Sequence, residues 1–312
     1  MGGERFLIAT EVGYENVCIY NRRVMEEHGF DDPAELYYND EWTWDVFTDM
    51  CIDFSNPDEE KYALDGWGFS SGLMHSSGAT VAYLNPEAGI IEHNLDDPRL
   101  ERAADMTANL MKNECIWPRW NHGWGLRGEE GTGMKEGLTL FWIRGTWVFT
   151  GTVESISNLW GDVSQGEVMF CPMPRDPNGN GLYYTESKPN GYYIVKGCDN
   201  PEGVALLASC ERFKILDPTV IDIDEKQLKE IYLWTDEMMD MYRHIYDLAE
   251  AQETIVIYGE GLGSKLSGVV DTIEGQAFQS AEPTTWAQIK ESYTEQLDYY
   301  ADELNKMLEE AE

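Results

Sequence analysis

Positive charge is scarce in this sequence. Its 312 residues hold 22 Lys and Arg against 58 Asp and Glu, a formal charge of −36. Nucleic-acid binding needs a cationic footprint, so this balance argues against it. An anionic membrane surface would repel the chain for the same reason. No run of about 18 apolar residues is present to span a bilayer as a helix. Histidine is sparse, and His28, His75, His93, His122 and His244 show no metal-ligand spacing. The six cysteines, Cys18, Cys51, Cys115, Cys171, Cys198 and Cys210, form no C-x-x-C pair, so the usual zinc and dithiol motifs are missing. Most lie in apolar stretches and read as small buried hydrophobes. There is no P-loop and no H-E-x-x-H. The glycine-rich stretch 259–264 lacks the lysine of a phosphate loop. Internal repeats and low-complexity linkers are absent too.

What is abundant is aromatic and acidic. Eleven Trp and 17 Tyr offer flat apolar faces, most of which any protein spends on packing. The acids are spread over helix faces rather than clustered, which reads as solubility and self-repulsion. A cationic ligand such as a polyamine is the sharper alternative. The length fits two domains. With 58 acids, some carboxylate pair will always resemble a glycosidase pair, so that pattern carries no signal. Asp176-Pro177-Asn178-Gly179-Asn180-Gly181 looks faintly like a calcium loop but lacks the distal Glu. No metal and no cofactor is expected.

Apolar periodicity alternates between two and 3.6 residues, which implies an α/β chain. Residues 5–10 and 17–20 read as strands. A helix over 21–28 ends at Gly29, a suitable C-cap. Thr43 caps a helix that carries Trp44, Phe47, Cys51 and Phe54 on one face. Residues 66–69 read as a short strand and 70–77 as a polar loop. A helix starts at Pro98 after Asp96-Asp97. Residues 113–132 form a long Gly- and Trp-rich loop, and 172–190 a turn-rich connection. Leu228, Ile231, Met238, Tyr242, Ile245 and Leu248 mark one long helix. Trp286, Ile289, Tyr293, Leu297, Tyr300, Leu304 and Leu308 mark an amphipathic terminal one.

The most informative stretch is 135–147. Gly137 ends one element, 138–143 is an apolar run suited to a buried strand, and Gly145 permits a close turn. Trp147 then emerges just past the strand, where an open α/β sheet places its ligands. This order resembles the F-x-x-G-x-x-A-M-x-x-x-G-x-W segment of family 1 extracellular solute-binding proteins, the maltose-binding-protein-like sugar receptors of ABC importers. Leu140 and Phe141 stand here in place of Ala-Met. Other segments resemble the same family in order and spacing. Residues 5–10 followed by Cys18-Ile19-Tyr20-Asn21 resemble its first interlobe crossover. Glu41-Trp42-Thr43-Trp44-Asp45 resembles a helix start common in sugar receptors of Firmicutes. Residues 166–174, ending Pro172-Met173-Pro174, resemble the second crossover. Gly191-Tyr192-Tyr193-Ile194-Val195-Lys196-Gly197 with Asn200-Pro201-Glu202 resembles the family's G-y-x-I-x-K…N-P-e signature.

The resemblance implies a two-lobe, class II periplasmic-binding-protein-like fold of Venus-flytrap type. Residues 1–13 and 174–252 would form an N-terminal lobe, and 17–169 with 260–312 the C-terminal lobe. Hinge crossovers are expected near 11–16, 170–173 and 253–260. In the family the first crossover lies about 100 residues into the mature chain, a domain-sized distance, so the resemblance implies a truncated N-terminal lobe. It implies no chemistry. A sugar or oligosaccharide would be bound between the lobes and delivered to the transmembrane subunits of an ABC permease. The protein would work as an extracellular monomer, lipid-anchored on a Gram-positive cell. The same fold binding a non-sugar solute and a secreted glycoside hydrolase are the rival readings.

The resemblance also nominates site residues. Trp147 would stack on a sugar ring, with a packing Trp as the plain alternative. Arg144 ends the same strand and can donate a forked pair of hydrogen bonds, or simply form a surface ion pair. Tyr14 and Glu15 fall in the first crossover. Ser70, Ser71, Met74 and His75 are expected to line the cleft. Trp120 and Trp124 would form a rim platform, and Asn190 and Tyr192 flank the return strand. Trp42 and Trp44 read as staples of a helix to its lobe.

Overall fold

The computed structural model describes residues 8–14, 16–85, 87–119, 126, 133–195, 197–250, 255–256 and 263–310. In chain order its strands are β1 (Ile8–Tyr14), β2 (Val17–Asn21), β3 (Tyr62–Asp65), β4 (Ala82–Asn85), β5 (Ile90–His93), β6 (Thr139–Arg144), β7 (Val168–Cys171), β8 (Glu186–Tyr192) and β9 (Ile255–Val256). They form a four-stranded sheet in the order β3-β6-β2-β7, a three-stranded sheet in the order β1-β8-β9, and the hairpin β4-β5. In the larger sheet β3 runs parallel to β6, and β2 runs antiparallel to both β6 and β7.

The larger sheet is covered on both faces. Val17, Cys18, Ile19 and Tyr20 of β2 are all fully buried, as are Leu140 to Ile143 of β6. Near-continuous apolar strands are what two-sided burial demands. Its helices follow the expected capping chemistry. Asn21 accepts from the amides of Arg23 and Val24 to start α1 (Arg22–His28), and Gly29 closes it at φ +72°. Asp32 and Pro33 open α2 (Pro33–Tyr38). Thr43 caps α3 (Trp44–Phe54), which buries Trp44, Phe47, Cys51 and Phe54 as its periodicity predicts. Trp42 and Trp44 act as staples: their ring N–H groups donate to the carbonyl of Pro172 and the hydroxyl of Ser76.

Residues 66–77 depart from expectation. The strand is 62–65, one turn earlier than read, because Gly66 adopts φ +115° and leaves the sheet. The segment read as a polar loop is helix α4 (Phe69–His75), whose serines are turned into polar partners rather than water. Helix α5 (Pro98–Lys112) starts at Pro98 with Asp97 as its cap.

The helices that follow are α6 (Val153–Leu159), α7 (Pro201–Leu216), α8 (Pro218–Glu230), α9 (Asp236–Glu250), α10 (Ser264–Phe278) and α11 (Trp286–Glu310). The single long helix expected through 228–248 is two helices. Leu233 at φ +58° breaks it, and Trp234 turns inward. Trp234, Met238, Met239, Met241 and Ile245 belong to the large core with Phe149 and Phe170. The apolar face of α9 packs on β7 as well as β1. The chain also remains in the larger sheet through Cys171, paired with Cys18, and enters the smaller one at Glu186. The connection is thus 172–185 rather than 170–173. A second core joins α5, α10, α11 and the β4-β5 hairpin around Leu100, Ile273, Phe278, Trp286 and Ile289.

Candidate functional site

Parallel β3 and β6 end side by side, with Asp65 paired to Trp142. The chain leaves β3 through Gly66-Trp67-Gly68. A Cβ on Gly66 would sit 2.5 Å from the carbonyl oxygen of Ile143, so this position requires glycine. The Gly68 amide donates to the same carbonyl at 3.2 Å. The chain leaves β6 through Arg144 and Gly145 into a 3₁₀ turn, Thr146–Phe149. Trp67 and Trp147 thereby emerge at one edge of the sheet, 44% and 52% exposed. Each carries a guanidinium over its ring: Arg119 at 4.8 Å from Trp67 and Arg144 at 4.7 Å from Trp147. Such stacking fixes both planes. Arg119 is itself ion-paired to fully buried Asp65. Burial pushes the Asp65 carboxyl up, against the opposing pull of Arg119.

Tyr14 closes the side of this edge from β1. Its hydroxyl lies 3.3 Å from that of Thr146, and its ring packs edge-on against Tyr242 and Tyr246. Burial, with Tyr242 beside it, raises that hydroxyl well above the usual tyrosine value, so it stays a neutral donor or acceptor. A second constellation lies at the junction of the two sheets. His75 Nδ1 pairs with Glu186, and Asn16 Nδ2 donates to the other Glu186 oxygen and to Ser71 at 3.0 Å. Ser70 donates to Glu274 at 2.6 Å and accepts from Gln279 at 2.6 Å.

Of the nominated residues, Trp147 and Arg144 are a stacked, solvent-facing pair. Tyr14 is beside them but buried. Ser70, Ser71 and His75 come together in the junction network, with Ser70 and His75 buried rather than lining an open cleft. Met74 is 1% exposed in the second core with Trp44 and Ala79, so it packs and lines nothing. Asn190 and Tyr192 sit four and six residues along β8 from Glu186. At about 3.3 Å per residue the strand carries them roughly 13 Å or more away. Glu15, Trp120 and Trp124 lie outside the described residues. The Asp176 turn is committed elsewhere: its carboxylate binds Arg102 and the Asn178 amide. Among the described residues no group of three or more His, Cys, Asp or Glu is arranged to hold a metal ion. Sequence reasoning missed Trp67, Arg119, Asn16, Glu186 and Glu274. The Gly-Trp-Gly order around Trp67 was a usable signal, since it repeats the glycine-then-tryptophan logic of Gly145 and Trp147.

No protein-family model and no curated protein sequence matches this chain. Solved structures do. The galacto-N-biose/lacto-N-biose I-binding protein of an ABC transporter from Bifidobacterium longum, in complex with lacto-N-biose, is similar at TM-score 0.62 and 14% identity, over 96% of this chain and 71% of that one. An ABC substrate-binding protein from Listeria monocytogenes in complex with cycloalternan is similar at TM-score 0.58 and 13% identity, over 98% and 72%. A solute-binding protein from Thermotoga lettingae bound to α-D-tagatose is similar at TM-score 0.58 and 17% identity, over 97% and 72%. No described helix is long and apolar enough to cross a membrane. The mixed α/β architecture of this chain is the periplasmic solute-binding-protein fold.

Proposed function

We propose that this chain is the solute-binding component of an ABC importer and that it takes a sugar, oligosaccharide or polyol at the edge carrying Trp67 and Trp147. The observation that carries this is the pair of exposed tryptophans, each backed by an arginine, at the carboxyl ends of two parallel strands. Open α/β sheets bind ligands at that edge. Flat rings suit the apolar faces of sugars, and guanidinium N–H groups suit hydroxyls. The solute-binding fold and the sugar and polyol ligands of similar structures support the same reading. Arg144 places a guanidinium beside Trp147, which favours a neutral polyhydroxyl solute over the cationic one that the net charge of −36 suggests; the charge of Arg119 beside Trp67 is balanced by Asp65.

In this reading the four-stranded sheet belongs to one lobe and the three-stranded sheet to the other, and solute is captured by hinge closure. Delivery to permease subunits, an extracellular location, lipid anchoring and a monomeric state belong to the same proposal. So does a covering polypeptide. Helix α8 buries no residue, and Leu206, Leu207, Phe213, Leu216, Ile221 and Ile223 on α7 and α8 are exposed. Similar structures match nearly all of this chain, yet more than a quarter of each lies outside the match. We read that apolar face as the seat of a corresponding segment.

A thermal-shift panel of sugars, polyols and polyamines, followed by calorimetry on the hits, tests the reading. A sugar or polyol should raise the melting temperature and polyamines should not. Stabilisation by polyamines alone would sink it. Release of reducing sugar from an oligosaccharide would instead mark a hydrolase.

A further inference from the structure

Two connections join the sheets, residues 15–16 from β1 to β2 and 172–185 from β7 to β8. One polar cluster takes a residue from the end of each. Asn16 comes from the first and Glu186 from the second, while Glu274 comes from α10. Helix α4 supplies Ser70, Ser71 and His75. Both oxygens of Glu186 are engaged, one by His75 and one by Asn16. Glycine at position 68 makes room for this, since a Cβ there would fall 1.8 Å from Asn16 Oδ1. Glu186 is 2% exposed and His75 6%.

We propose that His75 and Glu186 form a charge-dependent latch across the hinge, in which the imidazolium ties the first residue of β8 to helix α4 and loss of its proton frees the strand. This concerns the junction itself; only its consequence for solute capture rests on the function proposed above.

The charges that face His75 are the carboxylates of Glu186 on β8 and Glu274 on α10, with Asp271 of α10 behind Glu274. The other described partners, Asn16, Ser70, Ser71 and Gln279, are neutral. The imidazole thus bonds one buried carboxylate, Glu186, and lies in the field of a second, half-buried one, Glu274. Without its proton, Glu186 is a buried anion with no compensating cation among its described partners, a costly state. Burial acts to lower the His75 pKa, but the carboxylates of Glu186 and Glu274 outweigh it and leave the ring above the ordinary histidine value. A raised folded-state value means that the tie is complete below the ordinary histidine pKa. It is lost as pH rises through the raised one. The hinge is stiff in mild acid and loosens toward the alkaline side.

The test uses the whole chain without added solute, so its outcome is independent of whether sugars bind. Amide hydrogen exchange of residues 186–188 and of α4 is followed from about pH 5.5 to about pH 9, corrected for intrinsic exchange, to span the histidine range. Protection should fall about tenfold as His75 deprotonates, the response of an opening equilibrium to one linked proton. Glu186→Gln keeps an acceptor but removes the charge, and should abolish the step. A step that persists unchanged in Glu186→Gln, or a wild-type profile without one, overturns the latch. Should that variant not fold, NMR titration of the His75 imidazole in the wild-type chain decides. A value above that of free histidine supports the latch, and one at or below it overturns it.

Discussion

Gly66 is held at φ +115° with its α-carbon against the Ile143 carbonyl, so a methyl group there must push β3 and β6 apart. Gly66→Ala should cost about 1–3 kcal/mol through strain and lower the denaturation midpoint. It should also weaken solute binding, because it displaces Trp67. The tryptophans behave differently. Both are exposed, so Trp67→Ala and Trp147→Ala should leave the melting temperature nearly unchanged. Truncating an anchor aromatic typically costs roughly 2 kcal/mol, about 30-fold in affinity. Calorimetry with the best solute of the panel measures this directly, and an unaltered Kd for Trp147→Ala would remove it from the site. Trp147 is legible in the sequence because its strand, its glycine and its own ring are contiguous. Trp67 is not, because its importance comes from a parallel pairing between segments about 80 residues apart. Glu186 and Glu274 are illegible for another reason: among 58 acids nothing local marks the two that join the junction network.

At the scale of elements, helix ends and apolar faces are mostly local properties and are readable. Asn21, Asp32, Thr43 and Asp97 all cap the helices that follow them. The break between α8 and α9 is not local. The apolar spacing of 228–248 suits one continuous helix, and burial of Trp234 against Phe149 and Phe170 overrides it. The Trp234 ring N–H also donates to the Phe149 carbonyl at 3.1 Å. Trp234→Ala should therefore destabilise the large core by about 3–5 kcal/mol, seen as a lower midpoint in urea. A loss within the range of a surface substitution would mean that α9 is only loosely docked. Helix α4 is misread for a related reason. Its Ser-Ser-Gly start looks like a loop until Glu274 arrives to accept from Ser70 and Asn16 to donate to Ser71, both from distant segments.

For the whole molecule, the two sheets are unequally dressed. The four-stranded sheet has helices on both faces, whereas α7 and α8 beside the smaller sheet present Leu206, Phe213, Leu216 and Ile223 outward, each more than half exposed. Exposed apolar side chains in such number favour association. The isolated chain should self-associate with rising concentration in light scattering. Phe213→Glu with Leu206→Glu should suppress this without lowering the melting temperature. A form extended by the proposed covering segment should be monomeric and melt higher. If the extended and unextended chains melt alike and neither associates, the covering segment is not needed. In the covered form, solute should shrink the radius of gyration by closing the hinge.

The sequence by itself determined the alternation of strands and helices, the capped helix starts, the exclusion of polyanionic partners, and Trp147 as an emerging ring, because each depends on residues within one or two turns of each other or on composition alone. Only the tertiary structure decided that Trp67 stands at the same edge as Trp147, that Met74 packs in a core, that residues 234–245 join the large core with Phe149 and Phe170, and that His75 meets Glu186. Those outcomes depend on which distant segments become neighbours, and on burial, which turns an ordinary carboxylate among 58 into one whose charge must be answered by a particular imidazole.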